Sequence, residues 1–395
     1  MRSANSDRAK ESALSNGNCC SPVASDEKCT PPGSTGSECC GESGPAKSGK
    51  VDTAPFLTGW ADTPAGPVPR VKTDLAVRDI WGRWRMRWGI GRRRYRLEPG
   101  LYAVGTPGAD SPVLVTANYK MTFDALRREL GGLDAWILVL ETDGINVWCA
   151  AGKGTFGTDE VIRRVKTTRL AEVVDHGRLI LPQLGATGVA AHRVREECGY
   201  SVVYGPVRAR DIRHFLDQGM VATPEMRRVS FPLFERLALT PVELVGFLKP
   251  SAWALPALFV IAGVGPGVFS PSAAWHRGLW ASGVWLAGIL GGAVITPVLL
   301  PWLPGRAFSG KGGLVGGFIG ACTVAVWWGG FGLLQGLALL TGLSAISSFA
   351  AMNYTGATPF TSPSGVESEM RRAIPLQAAA AALAGVLWIG SAFVG

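Results

Sequence analysis

One short segment, residues 146–153, combines residue types that could hold a metal cofactor. It reads Asn-Val-Trp-Cys-Ala-Ala-Gly-Lys, and a cysteine thiolate is a soft ligand that binds transition metals strongly. Asn146 is a suitable helix N-cap, so we predict a short helix over 146–153. With a rotation of about 100° per residue, one face of this helix carries Asn146, Cys149, Ala150 and Lys153. The other side, which we expect to pack on the domain, carries Val147, Trp148 and Ala151.

The predicted surroundings of Cys149 favour a metal-binding thiolate. The thiol lies in the first helical turn, where the backbone dipole favours negative charge, and Lys153 follows at i+4. Gly152 and Gly154 end the helix and keep its surroundings narrow. A broad flat macrocycle needs such a surface. The alternative is that Cys149 is a small buried apolar residue, the usual role of an isolated cysteine. Spacing alone leaves both interpretations open.

A buried strand comes directly before this segment. Residues 135–140 form a continuous apolar run, as in a central strand covered on both faces. Strand and helix patterns alternate around it, with strands at 101–105, 113–117, 179–182 and 201–204, and helices at 122–130, 159–174, 191–197 and 209–216. We therefore predict an α/β fold with a Rossmann-like parallel sheet. Ligands bind beyond the carboxyl ends of such strands, which adds Thr116 and Asn118 as residues that could hold the edge of a macrocycle.

The C-terminal part of the chain predicts an all-α transmembrane bundle of about five helices. Apolar stretches near the 20-residue length of a membrane span lie at 251–270, 278–300, 312–329, 331–352 and 373–394. Arg277 alone flanks one side of the predicted membrane, whereas the other side has Arg236, Lys249, Arg306, Lys311, Arg371 and Arg372. By the positive-inside rule, we expect a multi-pass protein of the cytoplasmic membrane with its soluble domain in the cytoplasm. The spans contain almost no ionisable residue, which favours an anchor over an ion transporter.

Composition divides the chain into four regions. We predict a disordered cysteine-rich tail at 1–58, a basic Arg/Trp-rich connector at 59–98, the α/β domain at 99–240 and the transmembrane domain at 250–395. The net charge of +9 lies mostly before Lys249, and by itself it does not choose among nucleic acid, membrane and acidic protein as a partner. Residues 1–50 lack the apolar core of a secretory signal, so we expect a cytoplasmic start and no structural disulfides.

The run at 146–153 resembles the cap-helix motif of the HgcA family of mercury-methylating corrinoid proteins. Pro99–Gly105, Val115–Lys120 and Lys153–Thr158 are also similar to that family, and the resemblance extends from about Arg70 to the C-terminus. The chain is also similar, but more distantly, to the corrinoid subunit of the acetyl-CoA synthase/CO dehydrogenase system. The five predicted spans distinguish the first family from the second.

The resemblance implies a methyltransferase with a cobalamin-type corrinoid whose cobalt has Cys149 as its lower axial ligand. Asn146, Val147, Trp148, Ala150, Ala151, Gly152 and Lys153 would then shape the lower face of the corrin. The implied partners are a folate-linked methyltransferase as methyl donor, a dicluster 4Fe-4S ferredoxin like HgcB as reductant, and Hg(II) as methyl acceptor. The product would be methylmercury. No nucleic acid is implied.

Two rival functions remain open on the sequence. One is a membrane-anchored corrinoid methyl carrier for one-carbon metabolism of the acetyl-CoA pathway type. The other is a non-enzymatic membrane receptor that binds a small molecule in the α/β domain.

The four histidines show no metal-ligand spacing and no arrangement typical of histidine-ligated corrinoid proteins. Histidine ligation of cobalt is therefore unsupported.

Two basic or cysteine-rich features lie outside this motif. Cys19, Cys20, Cys39 and Cys40 could capture Hg(II), although incidental thiols in a disordered extension are the favoured interpretation. Trp81, Trp84 and Trp88 follow i, i+3, i+7 spacing among arginines. They could lie along an interfacial helix on the membrane or pack against the sheet.

Overall fold

The structure is a computed structural model, and it describes residues 54–394 except 328, 357, 359–360 and 362. The tail cysteines Cys19, Cys20, Cys39 and Cys40 lie outside the described residues. The described chain contains an α/β part followed by long apolar helices, so the predicted fold class is confirmed.

The α/β part is built on a seven-stranded sheet in the order β1-β2-β3-β5-β4-β6-β7. Its strands are β1 Leu57–Ala61, β2 Val68–Val71, β3 Gly100–Val104, β4 Val113–Ala117, β5 Ala135–Leu140, β6 Arg178–Leu181 and β7 Ser201–Tyr204. Every residue of β4 and β5 is buried, as expected of central strands between two helical layers. The stretch that we predicted as a connector thus contributes β2 and most of β1 to one edge of the sheet, and β1 begins in the last two residues of the stretch predicted as a tail.

The sheet is mixed rather than wholly parallel, which corrects one part of the prediction. Neighbours β4–β5, β4–β6, β6–β7 and β2–β3 are parallel, whereas β3 runs antiparallel to β5. Only the short link 105–112 joins β3 to β4. A crossover between parallel strands needs a dozen or more residues. This link is shorter, so β4 must run in the direction opposite to β3.

Helices cover both faces of the sheet. One face packs against α3 Val147–Lys153, α4 Thr158–Thr167 and α5 Ala191–Cys198, and the other against α2 Lys120–Glu129 and α6 Ile212–Asp217. The α1 helix spans Val77–Arg87. We had predicted one helix over 159–174, but α4 ends at Thr167 because Arg169 adopts a left-handed φ of 46°.

The apolar helices match the predicted bundle of five. They are α7 Leu233–Ala262, α8 Pro271–Leu290, α10 Phe308–Val326, α11 Leu333–Gly356 and α12 Pro363–Val394, and all five are long and apolar enough to cross a membrane. A π-helical segment at Gly291–Ile295 and the short α9 Thr296–Leu299 continue α8. A two-stranded hairpin, β8 Val264–Gly265 with β9 Val268–Phe269, connects α7 to α8.

Small residues allow α10 and α11 to pack closely. A methyl group on Gly316 would lie 2.7 Å from the carbonyl carbon of Leu343, and one on Gly312 would lie 2.5 Å from the side chain of Ala351. Neither distance leaves room for a side chain. Glycine at these positions is therefore a packing requirement of the bundle.

The helix α7 follows the α/β part after the segment 218–232, which contains no helix or strand. Its first turn carries Glu235, which forms an ion pair with Arg208 of the α/β part. Arg208 also donates to the hydroxyl of Ser230 at 2.7 Å. Farther along α7, Val245 lies next to Gly89, which follows α1. These contacts fix the α/β part against the first apolar helix.

Candidate functional site

The helix that carries Cys149 forms as the sequence predicts. The Asn146 side chain caps it by accepting a hydrogen bond from the backbone N–H of Cys149 at 2.9 Å. Gly154, with a φ of 82°, ends it in the left-handed conformation. This helix, α3, lies directly after the turn that leaves the carboxyl end of β5. It occupies the edge of the sheet at which parallel α/β proteins bind ligands.

The burial of α3 corrects one detail of the predicted faces. Val147, Ala150 and Ala151 are buried in the core, so Ala150 belongs to the packed side and not to the open one. Cys149 and Trp148 are half-buried, and Gly152 and Lys153 are exposed. The reason is that positions i, i+3 and i+4 lie on one face of a helix. Val147, Ala150 and Ala151 have this spacing, and together they form the face of α3 that contacts the core. The open surface therefore consists of the thiol, the indole edge and the helix end.

Asn118 positions the turn from which α3 begins. Its side-chain oxygen accepts hydrogen bonds from the Thr142 hydroxyl at 2.8 Å, the Thr142 N–H at 3.1 Å and the Gly144 N–H at 3.0 Å. Its amide nitrogen donates to Glu141 at 2.7 Å. Asn118 is fully buried. Its side chain thus holds the turn, and its predicted position at the edge of a macrocycle stays a prediction.

The other side of α3 rests on a close-fitting surface formed by the chain at 156 and 188. The ring of Phe156 is fully buried against Gly185. A methyl group on Gly188 would lie 3.0 Å from the Cα of Ala151 and would clash with the backbone oxygen of Phe156. Gly188 therefore allows the helix to approach the 188 backbone. Sequence reasoning missed both residues, since an isolated glycine and phenylalanine give no chemical signal.

A small cavity lies beside α3 at the carboxyl ends of the strands. Its volume is about 160 Å³, and Thr116 of β4 and Val147 of α3 both line it. Leu181, at the end of β6, and Gly205, just after β7, lie on its other wall. This places Thr116 at the strand end, where the sequence predicted a ligand-contacting residue.

Tyr119 lies within electrostatic reach of Cys149 and of two arginines. Burial is the main cause that raises the pKa of Tyr119, and nearby Arg92 and Arg87 oppose it. Cys149 contributes to raising the pKa of the same phenol, so the thiol and the Tyr119 hydroxyl are electrostatic neighbours. Sequence reasoning missed Tyr119 as a neighbour of the thiol, because the two residues lie 30 positions apart in the chain.

A buried network of ion pairs fastens α1 to α2. Asp79 of α1 binds Lys120 at 3.0 Å and Arg127 at 2.8 Å. Asp124 binds the same two cations at 2.6 and 2.8 Å. Burial opposes the ionisation of Asp79, but the hydrogen bond from Lys120 and the charges of Lys120 and Arg127 outweigh it and lower its pKa. The two acids and two bases are matched, so the network adds no net charge.

The surface around Cys149 is compatible with a corrinoid. Cys149 is a free, half-buried cysteine on α3, and Val147 of the same helix lines a cavity large enough for a small part of a ligand. Within the described residues there is no cluster of three or more His, Cys, Asp or Glu that could hold a bare metal ion. A macrocycle supplies most of the ligands of its own metal, and it needs only one axial donor from the protein.

Comparison with known proteins relates this part of the chain to corrinoid proteins. Residues 91–216 match the family model of the CO dehydrogenase/acetyl-CoA synthase delta subunit. The acetyl-CoA decarbonylase/synthase complex subunit gamma of Archaeoglobus fulgidus is 33% identical over 129 residues, 32% of this chain and 27% of that protein. The corrinoid/iron-sulfur protein large subunit of Moorella thermoacetica is 30% identical over 122 residues, 30% of this chain and 27% of that protein.

The family match lies within the α/β part. The chain spans about a quarter of the length of these relatives, and the family match ends before α7. The matched residues include β3 to β7 and the whole of α3 with Cys149. Residues 91–216 are thus related to the corrinoid proteins of the acetyl-CoA synthase system, and in this chain they are followed by five apolar helices.

Proposed function

We propose that this protein is a membrane-bound corrinoid methyltransferase in which the Cys149 thiolate is the lower axial ligand of cobalt. The observation that carries the proposal is the position of Cys149, half-buried at an open surface on a capped helix at the carboxyl end of β5. A bound corrinoid would supply the cobalt chemistry of methyl transfer. The similarity of residues 91–216 to corrinoid proteins supports the choice of cofactor.

The residues of the site have separate tasks in this proposal. Cys149 donates to the metal, and the N-cap bond from Asn146 fixes the first helical turn so that the thiol direction is set before the cofactor arrives. Trp148, Gly152 and Lys153 present the surface that meets the lower face of the corrin. Val147, Ala150 and Ala151 act from below by anchoring the helix in the core. Thr116 lines the cavity beside α3, which could receive a peripheral group of the cofactor.

The finer part of the proposal is that the methyl acceptor is Hg(II), giving methylmercury. The motif at 146–153 and the five apolar helices both favour it, since the family match to the acetyl-CoA synthase subunit ends before these helices. A dicluster 4Fe-4S ferredoxin and a folate-linked methyl donor would be its partners. The names of the relatives favour the second candidate, a methyl carrier for one-carbon metabolism.

The membrane arrangement belongs to the same proposal. Arg236 donates to the carbonyl of Pro297 at 3.0 Å and Lys311 to that of Leu300 at 2.8 Å, so both cations lie at one end of the bundle. Arg277 lies at the far end of α7, where it donates to the carbonyl of Ala262. With the positive-inside rule, this distribution supports a cytoplasmic location for the α/β part.

The experiment that tests the cofactor uses the full chain in detergent, reconstituted with cobalamin. Cobalt content and visible spectrum are compared for wild type, Cys149→Ala and the matched control Cys198→Ala. We expect one cobalt per chain in wild type, a changed spectrum for Cys149→Ala and a wild-type spectrum for Cys198→Ala. Equal spectra in all three would contradict cysteine ligation, and no bound cobalt in wild type would favour the receptor alternative.

A second experiment separates the two acceptors. The methyl-loaded protein is offered Hg(II), and in parallel a nickel–iron–sulfur acetyl-CoA synthase as acceptor, with the ferredoxin present in both. Methylmercury formed by wild type and lost in Cys149→Ala would support the mercury proposal. Transfer to the synthase alone would show that the one-carbon function is correct.

A further inference from the structure

A second cavity, distinct from the α3 surface, lies between α1 and the segment 94–98. Its volume is about 610 Å³, within the range of small-molecule sites. The floor is made by Phe56, Tyr102 and the buried Lys120–Asp79 pair. Helix α1 forms one wall and the chain at 94–98 forms the other.

The walls of this cavity carry an excess of positive charge. Arg78 and Arg85 reach it from α1, and Arg94 and Arg96 reach it from the opposite wall. None of these four guanidinium groups has a hydrogen bond or ion pair with another residue in the part of the chain that the structure describes. The lining contains only two acids, of which Asp79 is already bound to Lys120 and Arg127. Glu98 is left to balance four cations.

This excess contrasts with the network directly beneath it. There, two acids neutralise two bases at distances of 3.0 Å or less. Like charges that share a cavity repel one another, and the repulsion is relieved when an anion binds between them. The arginines come from two separate elements and converge on one space, which is what an anion-binding site requires.

The chemistry of the lining indicates the class of ligand. Guanidinium groups bind phosphate oxygens through paired hydrogen bonds, and four of them exceed the need of a single carboxylate. The indole of Trp81 borders the same cavity and is 65% exposed, so a planar ring could stack on it. We propose that this cavity binds a phosphate-bearing ligand of up to nucleotide size. The phosphates could belong to a soluble molecule or to a lipid headgroup, since α1 lies beside α7.

The test uses isothermal titration calorimetry of inorganic pyrophosphate against the full chain in lipid-free detergent. The variants are Arg94→Gln/Arg96→Gln and, on the other wall, Arg78→Gln/Arg85→Gln. The matched control is Arg195→Gln, an exposed arginine far along the chain on α5. We expect each double variant to weaken binding at least tenfold and the control to change it less than twofold. Two variants on different elements protect the test against a folding defect in one.

A second arm identifies the source of the phosphates. Nanodiscs with and without a phosphoinositide are compared with the same variants. Binding of pyrophosphate in detergent supports a soluble ligand, and arginine-dependent binding to phosphoinositide nanodiscs alone supports a lipid headgroup. No binding in either arm, or equal losses in the Arg195→Gln control, overturns the proposal.

A third arm separates this cavity from the corrinoid site. The titration is repeated after cobalamin loading. Unchanged pyrophosphate affinity supports an independent site, whereas complete loss of binding would assign the arginines to the cofactor and overturn the proposal. Because the first arm needs no corrinoid, it succeeds or fails independently of the proposed function.

Discussion

The side-chain oxygen of Asn118 accepts a hydrogen bond from the hydroxyl of Thr142 at 2.8 Å, across the carboxyl ends of β4 and β5. The same oxygen also accepts from two backbone N–H groups of the turn before α3. One buried amide thus connects a central strand to the helix that carries Cys149. The thiol is positioned by the sheet and not by a flexible loop.

Removal of the Asn118 side chain should loosen that connection. Asn118→Ala would leave the Thr142 hydroxyl and the buried turn N–H groups without their acceptor, and we expect a loss of about 2–3 kcal/mol of stability. Thermal melting of wild type, Asn118→Ala, Thr142→Val and the double variant forms the test. The combined loss should fall short of the sum of the single losses by about 1 kcal/mol or more. Strict additivity would mean that the two residues act separately.

Substitution of the N-cap should act on the cofactor more than on the fold. Asn146→Ala removes a bond to the N–H of Cys149 and should cost about 1 kcal/mol of local helix stability. If that cost appears when the cofactor binds, cobalamin affinity falls by about fivefold. Spectroscopic titration measures it, with Asn146→Asp as the control that keeps an acceptor at the cap. A variant affinity equal to wild type would show that the helix needs no cap.

Gly188→Ala should disturb the surface on which α3 rests. The new methyl group would meet the Phe156 carbonyl and lie 3.0 Å from the Cα of Ala151, so we expect a loss of about 1–3 kcal/mol from overpacking. Gly108→Ala is the matched control, because a methyl group there meets nothing within 4 Å. Thermal melting should separate the two variants by several degrees. Equal melting temperatures would contradict the close approach at 188.

The ion-pair network predicts a specific dependence of stability on pH. The folded-state pKa of Asp79 is lowered, so its stabilising effect is fully present above its ordinary value of 3.8 and is lost as the pH falls through the lowered value. Asp79→Asn should cost about 3 kcal/mol at neutral pH, because it leaves Lys120 and Arg127 with one acid. The melting difference between wild type and Asp79→Asn should be constant from pH 7 to about pH 5 and should shrink below pH 4. A difference that instead grew on acidification would contradict the direction of the shift.

Patterns with strong local causes could be predicted from the sequence. The apolar run of β5, the Asn146 cap and the five apolar helices each depend on nearby residues, and each forms as expected. The reversed direction of β3 could not be predicted, because it depends on pairing with a strand that lies 35 residues later in the chain.

The contacts around the site were harder to predict for the same physical reason. Asn118 and Gly188 act through distant partners, at Thr142 and at Ala151. The buried position of Ala150 depends on how deeply a two-turn helix settles into the core, which periodicity does not determine. Trp81 and Trp84 proved to be exposed, so packing of these residues against the sheet, one of the two interpretations of their spacing, is excluded.

The contacts between α7 and the α/β part limit how the thiol can meet other molecules. Because Glu235 pairs with Arg208 in the first turn of α7, and Val245 lies against Gly89, the surface that carries Cys149 has little freedom to rotate relative to α7. A domain on a flexible linker loses orientational entropy each time it binds a partner. Here that loss occurs once, when the protein folds. Any partner held on the same membrane would therefore search only two dimensions, and always for the same approach direction.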